Sequence, residues 1–189
     1  MKLGFIVCLK ILLSFVVSFF SAAIVYASTF LIHEGGHVVF GLIDNFIQSG
    51  QFGDWQFNYV NFPFPPWSFP AFPILVPVGT TFSQNPNSFL FPITGIISVC
   101  VVFSGLGYLL YRKTRGLEKW LVLISVFTLL IYEIVSNFVC GTDHFSNPGY
   151  SIPPYCDNFV NASQIIVFSL LFLTCFVILS HKMLKSTMS

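Results

Sequence analysis

The stretch ILLSFVVSFFSAAIVYASTFLI, residues 11–32, carries no charge and is followed at once by HEGGH, residues 33–37. An α-helix needs about 20 apolar residues to cross the hydrocarbon core of a bilayer. The stretch therefore predicts a membrane-spanning helix that leads directly into three ionisable side chains. Such side chains are costly inside or beside a membrane, so their presence points to a functional site.

The composition of the whole chain also indicates a membrane protein. Of its 189 residues, 55% are apolar, 18% aromatic and 8% charged, whereas about a quarter of the residues in soluble domains are charged. The formal net charge of +1 gives no basic excess for nucleic-acid binding, and five cysteines are an odd count for a secreted disulfide scaffold. We expect membrane lipid as the surroundings of this chain and no nucleic-acid partner.

Long stretches between the basic clusters predict the helices. Each is free of Lys and Arg over a length sufficient to span a bilayer, and the predicted spans are residues 11–42, 88–111, 120–143 and 159–181. They indicate an all-α membrane protein, a bundle of about four transmembrane helices in a single domain over residues 1–189. A weak signal-peptide cleavage site ends at Ala27, but the apolar run continues past it, which favours a retained helix.

The basic residues predict the orientation. They lie near the amino terminus, in the central segment 112–119 and near the carboxyl terminus. Because Lys and Arg are enriched in cytoplasmic segments, both termini are expected in the cytoplasm. This topology leaves residues 44–87 and 141–158 on the outer side, and the HEGGH segment then lies toward the outer face.

The outer loop, residues 44–87, is rich in aromatic residues and proline. Aromatic and polar side chains mostly alternate over 55–62, which predicts a short strand or hairpin. The prolines between 63 and 73 exclude a regular helix or a central strand there. The loop is either an aromatic belt at the headgroup level, or a strand or re-entrant loop that covers a site and holds an extended ligand by β-augmentation, with Trp55 and Phe57 in contact with that ligand.

The HEGGH segment has the spacing of a zinc site. His33 and His37 lie four residues apart and share one helix face, so both imidazoles can reach one Zn²⁺ ion. Glu34 can reach a water molecule beside that ion and act as a general base. A random chain of this composition contains H-E-x-x-H roughly once in a thousand cases, which makes the match specific. The alternative is a pair of interfacial histidines with ordinary hydrogen bonds.

Two glycines separate the histidines of this segment. Gly35 and Gly36 each cost about 1 kcal/mol of helix propensity relative to alanine. Small residues allow membrane helices to approach closely. We therefore expect another backbone to pack against this turn.

A zinc hydrolase site needs a third protein ligand, and the candidates are Glu133, Asp143, His144, Asp157 and His181. At about 1.5 Å per residue, helices that start at Lys10 and Lys119 carry the histidines and Asp143 to about the same height, about 35 Å from the inner face. The same count leaves Glu133 about 15 Å too deep and places His181 on the wrong side. Asp143 is therefore the predicted third ligand.

Other polar residues near this region have several possible roles. His144 is the alternative third ligand. Glu133 is either hydrogen-bonded within the bundle or an outer partner of a metal-binding histidine, and Asn137, one turn on, could orient a ligand or a substrate carbonyl. Cys140 and Cys156 both lie on the predicted outer side, where they could form a disulfide or remain thiols.

A membrane helix with His33-Glu34-Gly35-Gly36-His37, and with Gly before the second His, resembles the site-2 protease family of intramembrane zinc metalloproteases. The resemblance implies peptide-bond hydrolysis in or beside the membrane, and a transmembrane or membrane-adjacent polypeptide as substrate. It also implies an Asp near a later helix as third ligand, a role that falls on Asp143.

The chain departs from the family pattern in two respects. The family's Asp commonly stands in Asn-Pro-Asp-Gly or Leu-Asp-Gly, whereas Asp143 follows Gly141-Thr142. The family site usually lies nearer the cytoplasmic side, whereas the charges here place it toward the other. Two further functions stay open: a non-catalytic scaffold or chaperone-like relative that retains the histidines, and a zinc hydrolase of another membrane substrate.

Overall fold

A computed structural model describes residues 2–52, 55–62, 72–79, 91–140 and 154–188. In chain order its elements are α1 (Lys2–Ser49), β1 (Trp55–Phe62), β2 (Phe72–Gly79), α2 (Phe91–Lys113), α3 (Leu117–Ile134), a π-helical turn (Val135–Val139) and α4 (Pro154–Met188). Four of the described helices are long and apolar enough to cross a membrane. The number of such helices among the described residues therefore equals the number of spans predicted from the sequence.

Helix α1 is longer than the predicted span because it continues in both directions. Lys10 does not interrupt it, since lysine is a good helix former whose apolar stem can lie along the bundle while its amine reaches a polar partner. The 48-residue helix runs through the HEGGH segment, so the two histidines stand on a regular helix. The helix ends at Ser49, and the next residue, Gly50, has φ 71° and donates its backbone N–H to Phe46 O at 2.9 Å.

The four helices form a closed bundle. Helix α1 packs against α2 and α4, and α3 packs against the same two helices. Each helix contributes to the buried core, for example with Ala22, Val99, Leu129 and Val167. Many other large apolar side chains are exposed on the outside of the bundle, as expected where lipid replaces water as the solvent.

The chain between α1 and α2 contains a two-stranded antiparallel sheet. Strand β1 pairs with β2 from Trp55↔Gly79 to Phe62↔Phe72, and β2 contacts α1. Pro73 lies in β2, where a two-stranded sheet tolerates it because each strand is an edge strand.

Helix α3 ends differently from the prediction, which continued the span to residue 143. Its α-helical part stops at Ile134 and is followed by the π-helical turn, where Cys140 N–H donates to Val135 O at 3.0 Å. Cys140 then forms a disulfide with Cys156 in the first turns of α4, with a Cα–Cα distance of 5.7 Å. The sequence did not decide between a disulfide and two free thiols, and the structure has the disulfide.

Candidate metal site on helix α1

The two histidines of the HEGGH segment are buried and point at one another. His33 is 4% exposed and His37 8%. Their Nε2 atoms lie 3.0 Å apart. A tetrahedral zinc ion with Zn–N distances of 2.0–2.1 Å would separate two ligand nitrogens by about 3.3 Å. The observed separation is a hydrogen-bond distance, and it is within a few tenths of an ångström of the separation that a zinc ion would impose.

The other ring nitrogen of His33 contacts Glu133. His33 Nδ1 and Glu133 Oε1 form a buried pair, and Asn137 Nδ2 donates to the same carboxylate oxygen at 2.9 Å. Metal-binding histidines usually donate their second N–H to a carboxylate or carbonyl, which fixes the tautomer and the ring orientation. Glu133 has the position of such an outer partner.

The depth calculation for Glu133 is wrong. It placed this carboxyl group about 15 Å from the level of the histidines by assuming that the basic ends of α1 and α3 lie at one height. The amine of Lys10 instead donates to Met183 O, whereas Glu118, next to Lys119, contacts His181. Met183 and His181 lie two residues apart on α4, so Lys10 lies about 3 Å closer to the carboxyl end of α4 than Glu118 does. This offset reduces the calculated height difference between Glu133 and the histidines. The length of the His and Glu side chains covers part of the remaining distance.

His37 has a partner that the sequence did not reveal. Its Nδ1 lies 3.1 Å from Thr94 Oγ1, in the first turn of α2. A threonine in a membrane helix is common enough to carry no signal. Only the packing of α2 against α1 identifies Thr94 as part of the site.

Helices α1 and α2 meet closely because each has a glycine at the contact. A Cβ atom added to Gly36 would lie 2.3 Å from Ser98 Oγ and 2.7 Å from Thr94 O, and one added to Gly95 would lie 2.5 Å from His33 Nε2. The expected close approach therefore occurs at Gly36. At Gly35, an added Cβ would meet no atom of the described residues within 4 Å.

Of the remaining predicted site residues, the structure describes some and leaves others outside the described residues. Glu34 stands on α1 between the histidines and is partly exposed. Asp143 and His144 lie outside the described residues, as do the side chains of Trp55 and Phe57, although the backbone of both residues belongs to β1. Their predicted roles stay predictions.

No group of three His, Cys, Asp or Glu side chains that could hold a metal ion occurs within residues 2–52, 55–62, 72–79, 91–140 and 154–188. His181 lies at the opposite end of the bundle, with Nδ1 at 2.6 Å from Glu118 Oε1. Its exclusion as a ligand is therefore consistent with the structure. The described residues thus supply two histidine donors, each with a partner on its Nδ1 atom.

Comparison of the chain with protein-family models, with curated proteins and with solved structures found no match. The site itself therefore carries the functional argument.

Proposed function

We propose that this chain is a membrane-embedded zinc metalloprotease that cleaves polypeptides in or beside the bilayer. The observation that carries the proposal is that the Nε2 atoms of two buried imidazoles lie 3.0 Å apart. The Nδ1 atom of His33 contacts the Glu133 carboxylate, and the Nδ1 atom of His37 contacts the Thr94 hydroxyl. Such partners fix the tautomer and the ring orientation that a metal-binding histidine needs. The H-E-x-x-H spacing adds the base that hydrolysis requires.

Each residue of the site has a defined task in this proposal. His33 and His37 bind the zinc ion, and Asp143 is the proposed third ligand on the ground of the family resemblance alone, because the depth calculation that also favoured it is wrong. When bound, zinc polarises the scissile carbonyl and lowers the pKa of water. The Glu34 carboxylate accepts a proton from the attacking water and passes it to the leaving amine. Glu133 holds the His33 ring in place.

The substrate of the proposed protease is an extended polypeptide segment. Strand β1 belongs to a two-stranded sheet, and an edge strand can pair with a peptide backbone by β-augmentation. Replacing Trp55 and Phe57 with Asp is expected to lower turnover while the zinc content stays unchanged. Unaltered turnover would remove the strand from the proposal.

We also propose that both termini are cytoplasmic and that the site faces the outer side. The Cys140–Cys156 disulfide supports this orientation, because disulfides persist in oxidising compartments and are rare in the cytosol. The disulfide follows the carboxyl end of α3, the end at which Glu133 contacts His33. It therefore lies away from the basic termini of the chain.

Metal analysis of purified variants tests the proposal. The wild type is expected to contain about one zinc ion per chain, as a single site requires. His33→Ala and Asp143→Ala should lose it, whereas Glu34→Gln should keep the metal and lose peptide hydrolysis, because an amide cannot accept the proton. His181→Ala is the matched control, since that histidine lies at the opposite end of the bundle.

Two outcomes would contradict the proposal. Zinc content that is unaffected by His33→Ala would place the metal elsewhere. A cellular function that survives Glu34→Gln would instead support the non-catalytic scaffold, in which the histidines serve only to join the helices.

A further inference from the structure

One end of the bundle holds most of the basic residues of the chain. We call it the basic end and define it by Arg112, Lys113, Arg115 and Lys119, around the turn between α2 and α3, and by Lys182 and Lys185 on α4. The turn and the end of α4 are neighbours, because Glu118 at the start of α3 contacts His181. Among the described residues, Glu118 is the acidic side chain at this end. The basic end therefore carries a large excess of positive charge.

The helix dipoles explain only part of this distribution. Arg112 and Lys113 stand in the last turn of α2, where the partial negative charge at the carboxyl end of a helix favours cations. Lys119 stands in the first turn of α3, and Arg115 lies two residues before that helix, where partial positive charge disfavours cations. An anion outside the helices would make all four positions favourable.

The turn between α2 and α3 has a well-defined conformation. The N–H and the hydroxyl of Thr114 both donate to Leu110 O, each at 3.0 Å. Gly116 has φ 54°, which glycine adopts without strain, and Glu118 N–H donates to Arg115 O at 3.2 Å. A ligand that binds here therefore does not have to order a loop, which would cost conformational entropy.

Aromatic rings hold two of the cations in place. The guanidinium of Arg112 lies 5.8 Å from the centroid of the Tyr108 ring, and the amine of Lys119 lies 4.5 Å from that of Tyr111. A cation–π contact positions a cation without neutralising its charge, so both cations can still attract an anion. Tyrosines of membrane proteins are enriched at the headgroup level. We therefore expect these cations at the level of the lipid phosphates.

The helix surfaces next to the turn are apolar and exposed. Leu106 and Leu109 are exposed on α2, and Trp120 and Ile124 are exposed on α3. A ligand with its anionic group at the turn and the rest of its body toward the membrane would lie against these side chains. A free anion has no group that fits this apolar surface, whereas a phospholipid has both a phosphate and acyl chains.

We propose that the turn between α2 and α3 binds the headgroup of an anionic phospholipid. The phosphate lies among the four basic side chains of the turn, and the acyl chains lie along the exposed apolar faces of α2 and α3. The bound lipid adds a defined position and a defined charge to the membrane surroundings of the chain. The inference uses no residue of the candidate metal site, so it is independent of the proposed hydrolysis.

Trp120 is a reporter within the proposed lipid site. Full-length protein with Trp55→Phe and Trp67→Phe keeps Trp120 as its one tryptophan and is reconstituted in nanodiscs of phosphatidylcholine and phosphatidylglycerol. Bromine atoms on the acyl chains quench a tryptophan that they contact. We expect brominated phosphatidylglycerol to bind about fivefold more strongly for each basic residue engaged, and so to quench more than brominated phosphatidylcholine at the same mole fraction. Equal quenching by the two lipids would overturn the inference.

Paired variants separate the turn from a general attraction of anionic lipid to the basic end. Lys113→Gln with Arg115→Gln should bring the ratio of the two quenching strengths close to one. Lys182→Gln with Lys185→Gln removes the same charge from exposed positions on α4 and should leave the ratio close to that of the wild type. Equal losses in the two double variants would overturn the inference, because a diffuse positive field would then account for the preference.

Two further arms complete the experiment. Lys113→Arg with Arg115→Lys keeps both charges and should keep the preference for phosphatidylglycerol, whereas loss of the preference in this variant would contradict recognition by charge. Inorganic phosphate, compared with chloride at the same ionic strength, should not relieve the quenching. Relief by phosphate would assign the site to a free anion and overturn the lipid assignment.

Discussion

Within the described part of the chain, two histidine–glutamate pairs join the helices of the bundle, one near each end of α3. Both connect a histidine Nδ1 to a glutamate Oε1, yet the side chains of His33 and Glu133 are 5% and 6% exposed, whereas those of His181 and Glu118 are 67% and 13% exposed. The buried pair is joined by a second histidine and by an amide, since His37 contacts His33 and Asn137 donates to Glu133. The same two residue types thus make a candidate site at one end and a surface contact at the other.

The difference between the pairs is one of surroundings. An exposed ion pair is weakened by water and salt and contributes about 0–1 kcal/mol. A buried partner that is removed leaves an unpaired polar or charged group, which costs about 3–5 kcal/mol. The residue types alone cannot distinguish these cases.

The largest expected effect follows from removing each glutamate in turn. Glu133→Ala should lower the free energy of unfolding by about 3 kcal/mol or more, because it removes a buried carboxylate that pairs with His33 and accepts from Asn137. Glu118→Ala should lower it by less than about 1 kcal/mol. Thermal unfolding in detergent, followed by circular dichroism, measures both, and similar losses for the two variants would contradict the assigned difference in burial.

Loss of the Cys140–Cys156 disulfide is expected to have a similar or slightly smaller effect. The bridge closes a segment with a sequence separation of 16, for which chain entropy gives about 3 kcal/mol. Because this segment includes Asp143, the double variant Cys140→Ser, Cys156→Ser should also weaken zinc binding. Cys8→Ser is the control, since this exposed thiol is free. Unchanged zinc affinity in the double variant would argue against a third ligand within the bridged segment.

The fold was largely predictable because it follows from where charges are absent. Long uncharged stretches have few alternatives to transmembrane helices, and four such helices are present. Their ends were less predictable. The uncharged stretch begins after Lys10, so it does not predict that α1 continues through this lysine toward the amino terminus. It also contains no signal for the π-helical turn at Val135–Val139.

The site was predictable only where its residues are close in sequence. His33 and His37 form a local pattern whose geometry is that of the helix itself. Thr94 and Glu133 belong to other helices, and their contacts depend on the relative height of those helices, which the basic residues mark only roughly. Glu133 was therefore assigned the wrong depth, and Thr94 was not identified.

A smaller effect is expected from the glycines that line each end of α2. Gly95→Ala would place a Cβ 2.5 Å from His33 Nε2, and Gly107→Ala would place one 2.7 Å from Val126 Cγ2. Both variants should lose about 1–3 kcal/mol through overpacking, but only Gly95→Ala should also reduce zinc affinity. Gly105→Ala, where an added Cβ meets no atom of the described residues within 4 Å, should leave zinc affinity unchanged and raise the free energy of unfolding by up to about 1 kcal/mol through helix propensity. Reduced zinc affinity in Gly107→Ala would mean that the two ends of the bundle are coupled.

The smallest expected effect is that of Asn137→Ala, which removes one hydrogen bond to Glu133 Oε1. Loss of such a bond costs about 1 kcal/mol, and zinc affinity should fall by less than it does in Glu133→Ala. Because Asn137 acts through Glu133, adding Asn137→Ala to a Glu133→Ala background should leave zinc affinity unchanged, a non-additivity that a double-mutant cycle measures. At the exposed end, Ser186→Ala removes one contact of Lys10 and should alter neither zinc affinity nor stability measurably. Additive losses for Asn137 and Glu133 would show that the amide acts on the site independently of the carboxylate.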